Sequence, residues 1–307
     1  MHLRVADLDR ALGFYRDLLG FREAWRDGGT VMLSADGRYP FALGLTATTD
    51  QAPPPRRRCG LYHAAFLLPS RASLGRLLRR ILERDVALDG ASDHLVSEAL
   101  YLRDPEGNGL ELYCDRPPEQ WPWNACQVDM TTRELDLREL LAAGGDRSAP
   151  APEGTRLGHV HLRVSDLGRA EAFYHRALGF DVTLRRYGGA LFMAAGGYHH
   201  HLGTNVWAGE GIPPATPPAS RGGTAEGPGL WYFTIRLPGA ADLTRATARL
   251  QSHGIAAGGA ADYGPCLGVA VYDLDGILVL LTADHSPLPD QLSWRPAREP
   301  LGAVRAT

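Results

Sequence analysis

Eleven histidines stand in a chain of 307 residues, and their placement is not uniform. His199, His200 and His201 follow one another, and His159 and His161 alternate within GHVHLRV, where strand geometry would turn both rings to one face. Imidazole ligates metals and moves protons near neutral pH, so the chemistry of this chain is to be sought at these positions. The basic residues narrow the field from the other side. All 32 are Arg, and the absence of Lys removes Schiff-base chemistry, pyridoxal phosphate attachment and the P-loop type of phosphate lysine.

Charge and composition exclude further classes. A net charge of −3 and a pI near 6.4, with Arg scattered among Asp and Glu, leave no basic footprint, so no nucleic-acid partner is expected. No apolar run reaches the roughly 18 residues of a membrane span, and MHLRVADLDR lacks the basic and apolar regions of a signal peptide, which points to a cytoplasmic protein with no membrane partner. Cys59, Cys114, Cys126 and Cys266 are far apart without a CxxC pair, so neither a disulfide framework nor a zinc ribbon is expected. At 44% hydrophobic and 22% charged residues, disorder and fibre architectures are excluded.

The elements that must position the histidines are organised by a repeat. HLRVADLDRALGFYRDLLGF at 2–21 recurs as HLRVSDLGRAEAFYHRALGF at 161–180, a constant offset of 159. A fainter repeat relates GLYHAAFLLP at 60–69 to GLWYFTIRLP at 229–238, and YLRDPEGNGLELY at 101–113 to VYDLDGILVLLTA at 271–283. Pro- and Gly-rich breaks at QAPPPRRRCG, PPEQWPWN and IPPATPPASRGGTAEGPG divide the chain into four modules. In each, an alternating strand leads through a capped helix, Asp7 or Asp166 being the cap in the clearest copies, into short β-prone runs, so each module reads as βαβββ. The expected organisation is a first domain at 1–125 (modules 1–50 and 58–118), a linker with a helix at 126–154, a second domain at 155–285 (modules 155–210 and 228–285) and a tail at 286–307. One βαβββ unit cannot close a core, so units must pair into a curved sheet around a cleft.

The HLRVxDLxRAxxFYxxxLGF pattern, the DPEGNGLELY strand and the fourfold βαβββ repetition resemble the vicinal oxygen chelate superfamily of glyoxalases, bleomycin-resistance proteins and type I extradiol dioxygenases. GLYHAAFLLPSR, DHLVSEALYLRDPEGNGLELYCDRP and GGYHHHLGTNVWAG are specifically similar to two-domain ring-cleaving enzymes of the catechol 2,3-dioxygenase type. The resemblance implies an α+β fold of two glyoxalase-like domains with curved mixed sheets, and metal ligands on the first and last strands of paired modules. The first-strand ligand lies five residues before the Val of VxDL, which is His159 before Val164, with His161 the neighbouring alternative on the same face. The second module matches the pattern with His63 and Glu111.

Two histidines and one carboxylate form the facial set that holds non-haem Fe(II) with three positions open, Mn(II) being the alternative ion. Departures from the pattern decide which modules share the site. Tyr232 and Leu280 stand at the ligand positions of the fourth module, and the counterpart of His159 in the first would precede Met1. The full set assembles only if the second module pairs with the third, with the first and fourth forming a metal-free partner. By the same resemblance His200 is the acid–base residue, Tyr101 the hydrogen-bond donor to a substrate oxygen, and His94 a supporting group. Strand alternation sends His199 and His201 away from His200. The implied activity is extradiol cleavage of catechol or a substituted catechol with O2, the question of homo-oligomers being left open. The alternatives are a glyoxalase-type lyase or isomerase, which needs a fourth Glu or Gln ligand, and a metal-free small-molecule-binding protein of the resistance type.

Overall fold

The computed structural model describes residues 1–49, 57–215 and 227–286. Each module follows the βαβββ order. The first has β1 (His2–Val5), α1 (Leu8–Leu12, continued by a π-helical segment Gly13–Leu18), β2 (Arg22–Asp27), β3 (Thr30–Ser34) and β4 (Leu43–Ala47). The second has β5 (Gly60–Leu67), α2 (Arg71–Glu83), β6 (Gly90–Asp93), β7 (Ser97–Arg103) and β8 (Gly109–Asp115). A connector carries the short strands β9 (Trp123–Asn124), β10 (Gln127–Val128) and β11 (Arg133–Glu134) and the helix α3 (Leu137–Gly144). The third module has β12 (Arg156–Arg163), α4 (Leu167–Glu171, continued by a π-helical segment Ala172–Ala177), β13 (Asp181–Tyr187), β14 (Ala190–Ala194) and β15 (Leu202–Asn205). The fourth has β16 (Gly229–Leu237), α5 (Ala240–Ser252), β17 (Ala261–Asp262), β18 (Cys266–Tyr272) and β19 (Leu278–Asp284).

Helix starts follow from their caps. Asp7 accepts from the Arg10 amide at 2.9 Å and Asp166 from the Arg169 amide at 2.7 Å, each satisfying a donor that the first turn leaves free. Asp136 starts α3 in the same way, and Gly145 ends it at a positive φ of 75°, as the sequence predicts for a linker helix.

Neither sheet coincides with one half of the chain. A nine-stranded sheet runs β11-β6-β7-β8-β5-β12-β15-β14-β13 and an eight-stranded sheet β17-β18-β19-β16-β1-β4-β3-β2. The second module therefore pairs with the third through antiparallel β5 and β12, and the first with the fourth through β1 and β16. The result is the expected two-domain α+β architecture of curved mixed sheets.

The period-2 alternation of strand side chains sorts each sheet into two faces. One face of the first sheet (Ala64, Phe66, Leu100, Leu112, Leu162) and one of the second (Leu3, Leu33, Phe233, Val279) bury into a single core shared with the helices. The opposite faces differ: the second sheet turns Met32, Tyr232, Leu278 and Leu280 inward, whereas the first turns its histidines and Glu111. The repeated FY motif locks modules across the two sheets, because Tyr15 donates to Asp104 at 2.8 Å and Tyr174 to Asp273 at 2.7 Å, all four groups being buried. No helix among the described residues is long and apolar enough to cross a membrane, and Cys59, Cys114, Cys126 and Cys266 are free thiols.

Candidate metal centre

The β5–β12 pair builds the centre. His63 lies opposite His161, and Ala65 opposite both His159 and, on the other side, Glu111 of β8. An irregularity in the pairing at Gly158 sets the course of β12 just ahead of His159. A Cβ at Gly158 would fall on the Tyr113 hydroxyl, so only glycine lets β12 approach the Tyr113 side chain this closely.

His63, Glu111 and His159 converge, and they are the one group of donors among the described residues whose ligand atoms all lie within 4.8 Å of one another. The Nε2 atoms of His63 and His159 stand 3.4 Å apart, and Glu111 Oε2 is 3.1 Å from the first and 3.2 Å from the second. Metal–ligand bonds of about 2.0–2.2 Å meeting near right angles put donor atoms roughly 3 Å apart, so the three atoms fit one divalent ion. His159 Nδ1 is buried without a partner, which leaves its Nε2 as the working nitrogen. Protonation agrees with this. Burial pushes the Glu111 carboxyl up, but the adjacent His159 and His63 outweigh it and hold the group well below its usual value. Burial lowers His159 to about 4, so at neutral pH the pair is a neutral imidazole and a carboxylate, the forms that bind metal.

His161 is on the same face but points to other partners. Its Nε2 is 3.0 Å from Asn205 Nδ2, and its ring lies over Gly203, where an added Cβ would come within 2.9 Å of the imidazole. Gly203 faces His161 across β12–β15 as Glu111 faces Ala65 across β5–β8. With Asp166 and Ser70 as matching helix caps, His159 is the pseudo-twofold mate of His63 and Gly203 the mate of Glu111. The position of a symmetric fourth ligand thus carries no side chain. The eight-stranded sheet repeats the pattern without the donors: His2 lies over Gly44, bonded to Tyr232 at 3.0 Å and Thr46 at 2.7 Å, and Leu280 replaces Glu111.

A cavity of about 200 Å³ opens on the centre, and His200, Tyr101 and His94 all line it. Tyr101 pairs with Glu111 across β7–β8, and its hydroxyl lies 2.7 Å from His94 Nε2. His94 Nδ1 donates to the Thr131 carbonyl at 2.7 Å, so in the neutral ring Nε2 accepts the Tyr101 proton. Burial and then Glu111 raise Tyr101 well above its usual value, which keeps the phenol a donor. His200 packs on His159 with ring centroids 4.2 Å apart. Tyr62, Trp207, Phe192 and Tyr187 supply aromatic walls, with Tyr62 and Trp207 half exposed at the mouth.

One expectation is corrected. Residues 199–201 are not in a strand, since β15 starts at Leu202, so alternation does not apply to them. His199 is fully buried beside His200, and only His201 is exposed. The reason is Asp115, whose Oδ1 takes His199 Nε2 at 2.8 Å and whose Oδ2 accepts from the Tyr198 hydroxyl at 2.9 Å. Neither Asp115 nor the two aromatic residues at the mouth were singled out from the sequence. An acid four residues beyond Glu111, on the strand that ends beside the His run, is the signal that could have found it.

The sequence profile of the Glyoxalase/Bleomycin resistance protein/Dioxygenase superfamily matches residues 1–112 and 156–281. The chain is 42% identical over 256 residues to a catechol-2,3-dioxygenase of Bacillus subtilis (strain 168), covering 82% of this chain and 86% of that protein. Among solved structures, a putative dioxygenase from Bacillus subtilis superimposes with a TM-score of 0.60 at 13% identity, covering 92% of this chain and 84% of the other. Glyoxalase I from Zea mays superimposes with a TM-score of 0.54 at 16% identity, covering 92% and 90%. At such identities the superpositions speak for the fold alone, but the profile spans most of both halves, and the chain belongs to the Glyoxalase/Bleomycin resistance protein/Dioxygenase superfamily.

Proposed function

We propose that the chain is an extradiol ring-cleaving dioxygenase, acting on catechol or a substituted catechol with O2 at a mononuclear non-haem Fe(II) held by His63, Glu111 and His159. The observation that carries the reading is the convergence of these three donors beside a cavity lined by two of them, His63 and Glu111, together with His200, Tyr101 and His94. The 42% identity to a catechol-2,3-dioxygenase supports it. A symmetric four-ligand centre, as the lyase alternative requires, meets Gly203 where its fourth donor would stand.

Held by His63, Glu111 and His159, Fe(II) would supply activation of O2 next to the bound diol. The chain's own groups do the rest. Phe192 and Tyr187, with Tyr62 and Trp207 at the mouth, orient a planar ring and exclude water from it. His200 accepts the second catechol proton through the ring nitrogen that faces the cavity and later returns it, a general acid–base role. Tyr101 hydrogen-bonds a substrate oxygen by turning toward it the one proton that it otherwise gives to His94 Nε2. A cytoplasmic setting, with four free thiols, belongs to the same reading.

The test is oxygen uptake by the Fe(II)-loaded protein on adding catechol and substituted catechols, followed spectrally for the yellow ring-opened product. Uptake with that product supports the proposal. Stoichiometric iron without uptake on any of them overturns it.

A further inference from the structure

His200 has two ring nitrogens, and its use as a base depends on which one carries the proton. Its Nδ1 lies 2.9 Å from Nδ1 of His199, whose Nε2 lies 2.8 Å from Asp115 Oδ1. The chain of contacts has a direction. A carboxylate only accepts, so Nε2 of His199 must be the protonated nitrogen. In the state with both rings neutral, the one in which His200 can offer a lone pair to a substrate, Nδ1 of His199 is a lone pair, and the short contact between the two Nδ1 atoms is satisfied only if His200 donates. The opposite arrangement would set the bare Nε2 of His199 against a carboxylate oxygen. In that state His200 carries its proton on Nδ1 and its lone pair on Nε2, the nitrogen that His199 leaves unengaged on a ring that lines the cavity.

We infer that Asp115 and His199 are positioning residues that hold His200 in its Nδ1–H tautomer and present Nε2 to the bound diol as a base. The arrangement is built and buried. His199 is inaccessible to solvent, with the Trp121 ring at 5.0 Å and the Tyr198 ring at 4.0 Å between centroids. The second oxygen of Asp115 is occupied by Tyr198, whose hydroxyl also meets that of Tyr113 at 2.9 Å, so the carboxylate cannot rotate away without losing both bonds. Asp115 ends β8, the strand that carries Glu111, and one strand thus supplies a proposed metal ligand and, four residues on, the anchor of the proposed base. The inference rests on the acid–base reading of His200, but its physical content is a tautomer that can be read without turnover.

The experiment uses the full chain loaded with Zn(II), whose closed shell leaves histidine resonances observable, and labelled with 15N in its histidines. Two-bond 1H–15N correlation above the imidazole titration range distinguishes Nδ1–H from Nε2–H rings, and His200→Gln identifies the signal by its loss. The expected result is an Nδ1–H ring at His200 in the wild-type protein. In Asp115→Asn the carboxamide can turn its NH2 group to His199, reversing both rings, so His200 becomes the Nε2–H form. The Fe(II)-loaded variant should then lose kcat by about 10²–10⁴-fold, with KM within a few-fold, because a base with its lone pair turned away binds substrate but does not deprotonate it. An Nε2–H ring at His200 in the wild-type protein overturns the inference, whether or not the variant folds, and so does an unchanged tautomer in folded Asp115→Asn. An Nδ1–H ring in a protein that cleaves no catechol would leave the tether standing and remove the dioxygenase reading.

Discussion

His2 gives a sharp test of how strongly this fold holds an imidazole neutral, and it lies in the sheet that lacks the metal donors. The ring is fully buried, and burial, followed by the charges of the amino terminus and Arg4, lowers its pKa from 6.5 to about 3. A group whose folded pKa is depressed in this way is a base that the unfolded chain protonates first. Stability is therefore fully present above pH 6.5 and is lost as the pH falls below it, at about 1.4 kcal/mol per pH unit, down to pH near 3. At pH 5 the loss attributable to His2 is about 2 kcal/mol. The perturbation is His2→Gln, and the quantity to measure is the difference in unfolding free energy between the wild-type protein and the variant, from urea titrations at pH 8 and pH 5. Other buried imidazoles titrate in both proteins and drop out of the difference. Tryptophan fluorescence follows the unfolding, with six tryptophans in the chain and Trp231 lying 5.1 Å from His2 between ring centroids. At pH 8 the wild-type protein should be the more stable by about 1–3 kcal/mol, through the bonds to Tyr232 and Thr46, and that advantage should shrink by about 2 kcal/mol at pH 5. A difference that stays constant between the two pH values would refute the argument that the folded protein keeps His2 neutral.

The remaining predictions concern the candidate centre. Glu111→Ala removes the one carboxylate from the donor set, and metal analysis after desalting should find no retained iron; a stoichiometric metal content would sink the ligand assignment. His200→Ala should retain iron yet lose turnover by about 10²–10⁴-fold, so full activity in that variant would remove the acid–base role. Gly158→Ala drives a methyl group into the Tyr113 hydroxyl, and thermal denaturation should report a destabilisation of about 1–3 kcal/mol together with weaker metal retention from the displaced His159; an unchanged melting temperature would contradict the packing described.

Much of this protein is written in local patterns. The 159-residue offset, the alternating strands and the caps at Asp7 and Asp166 depend on neighbours a few positions away, so the four βαβββ modules are legible in the amino-acid order alone. The three donors could also be named, because the family resemblance places them relative to the same local motifs, and the lack of donors in the outer modules points to the pairing of the second module with the third. Other features depend on contacts between residues far apart in the chain, which local pattern does not encode. His159 and His161 share a face and a strand, and only the irregular pairing at Gly158 and the capture of His161 by Asn205, 44 positions away, separate a converging donor from a non-converging one. His199 reads as one ring in a polar run until Asp115, 84 positions earlier, pulls it into the interior beside His200. Periodicity says which residues can share a face; which nitrogen on that face meets a carboxylate is decided by the strand pairing that brings the two together.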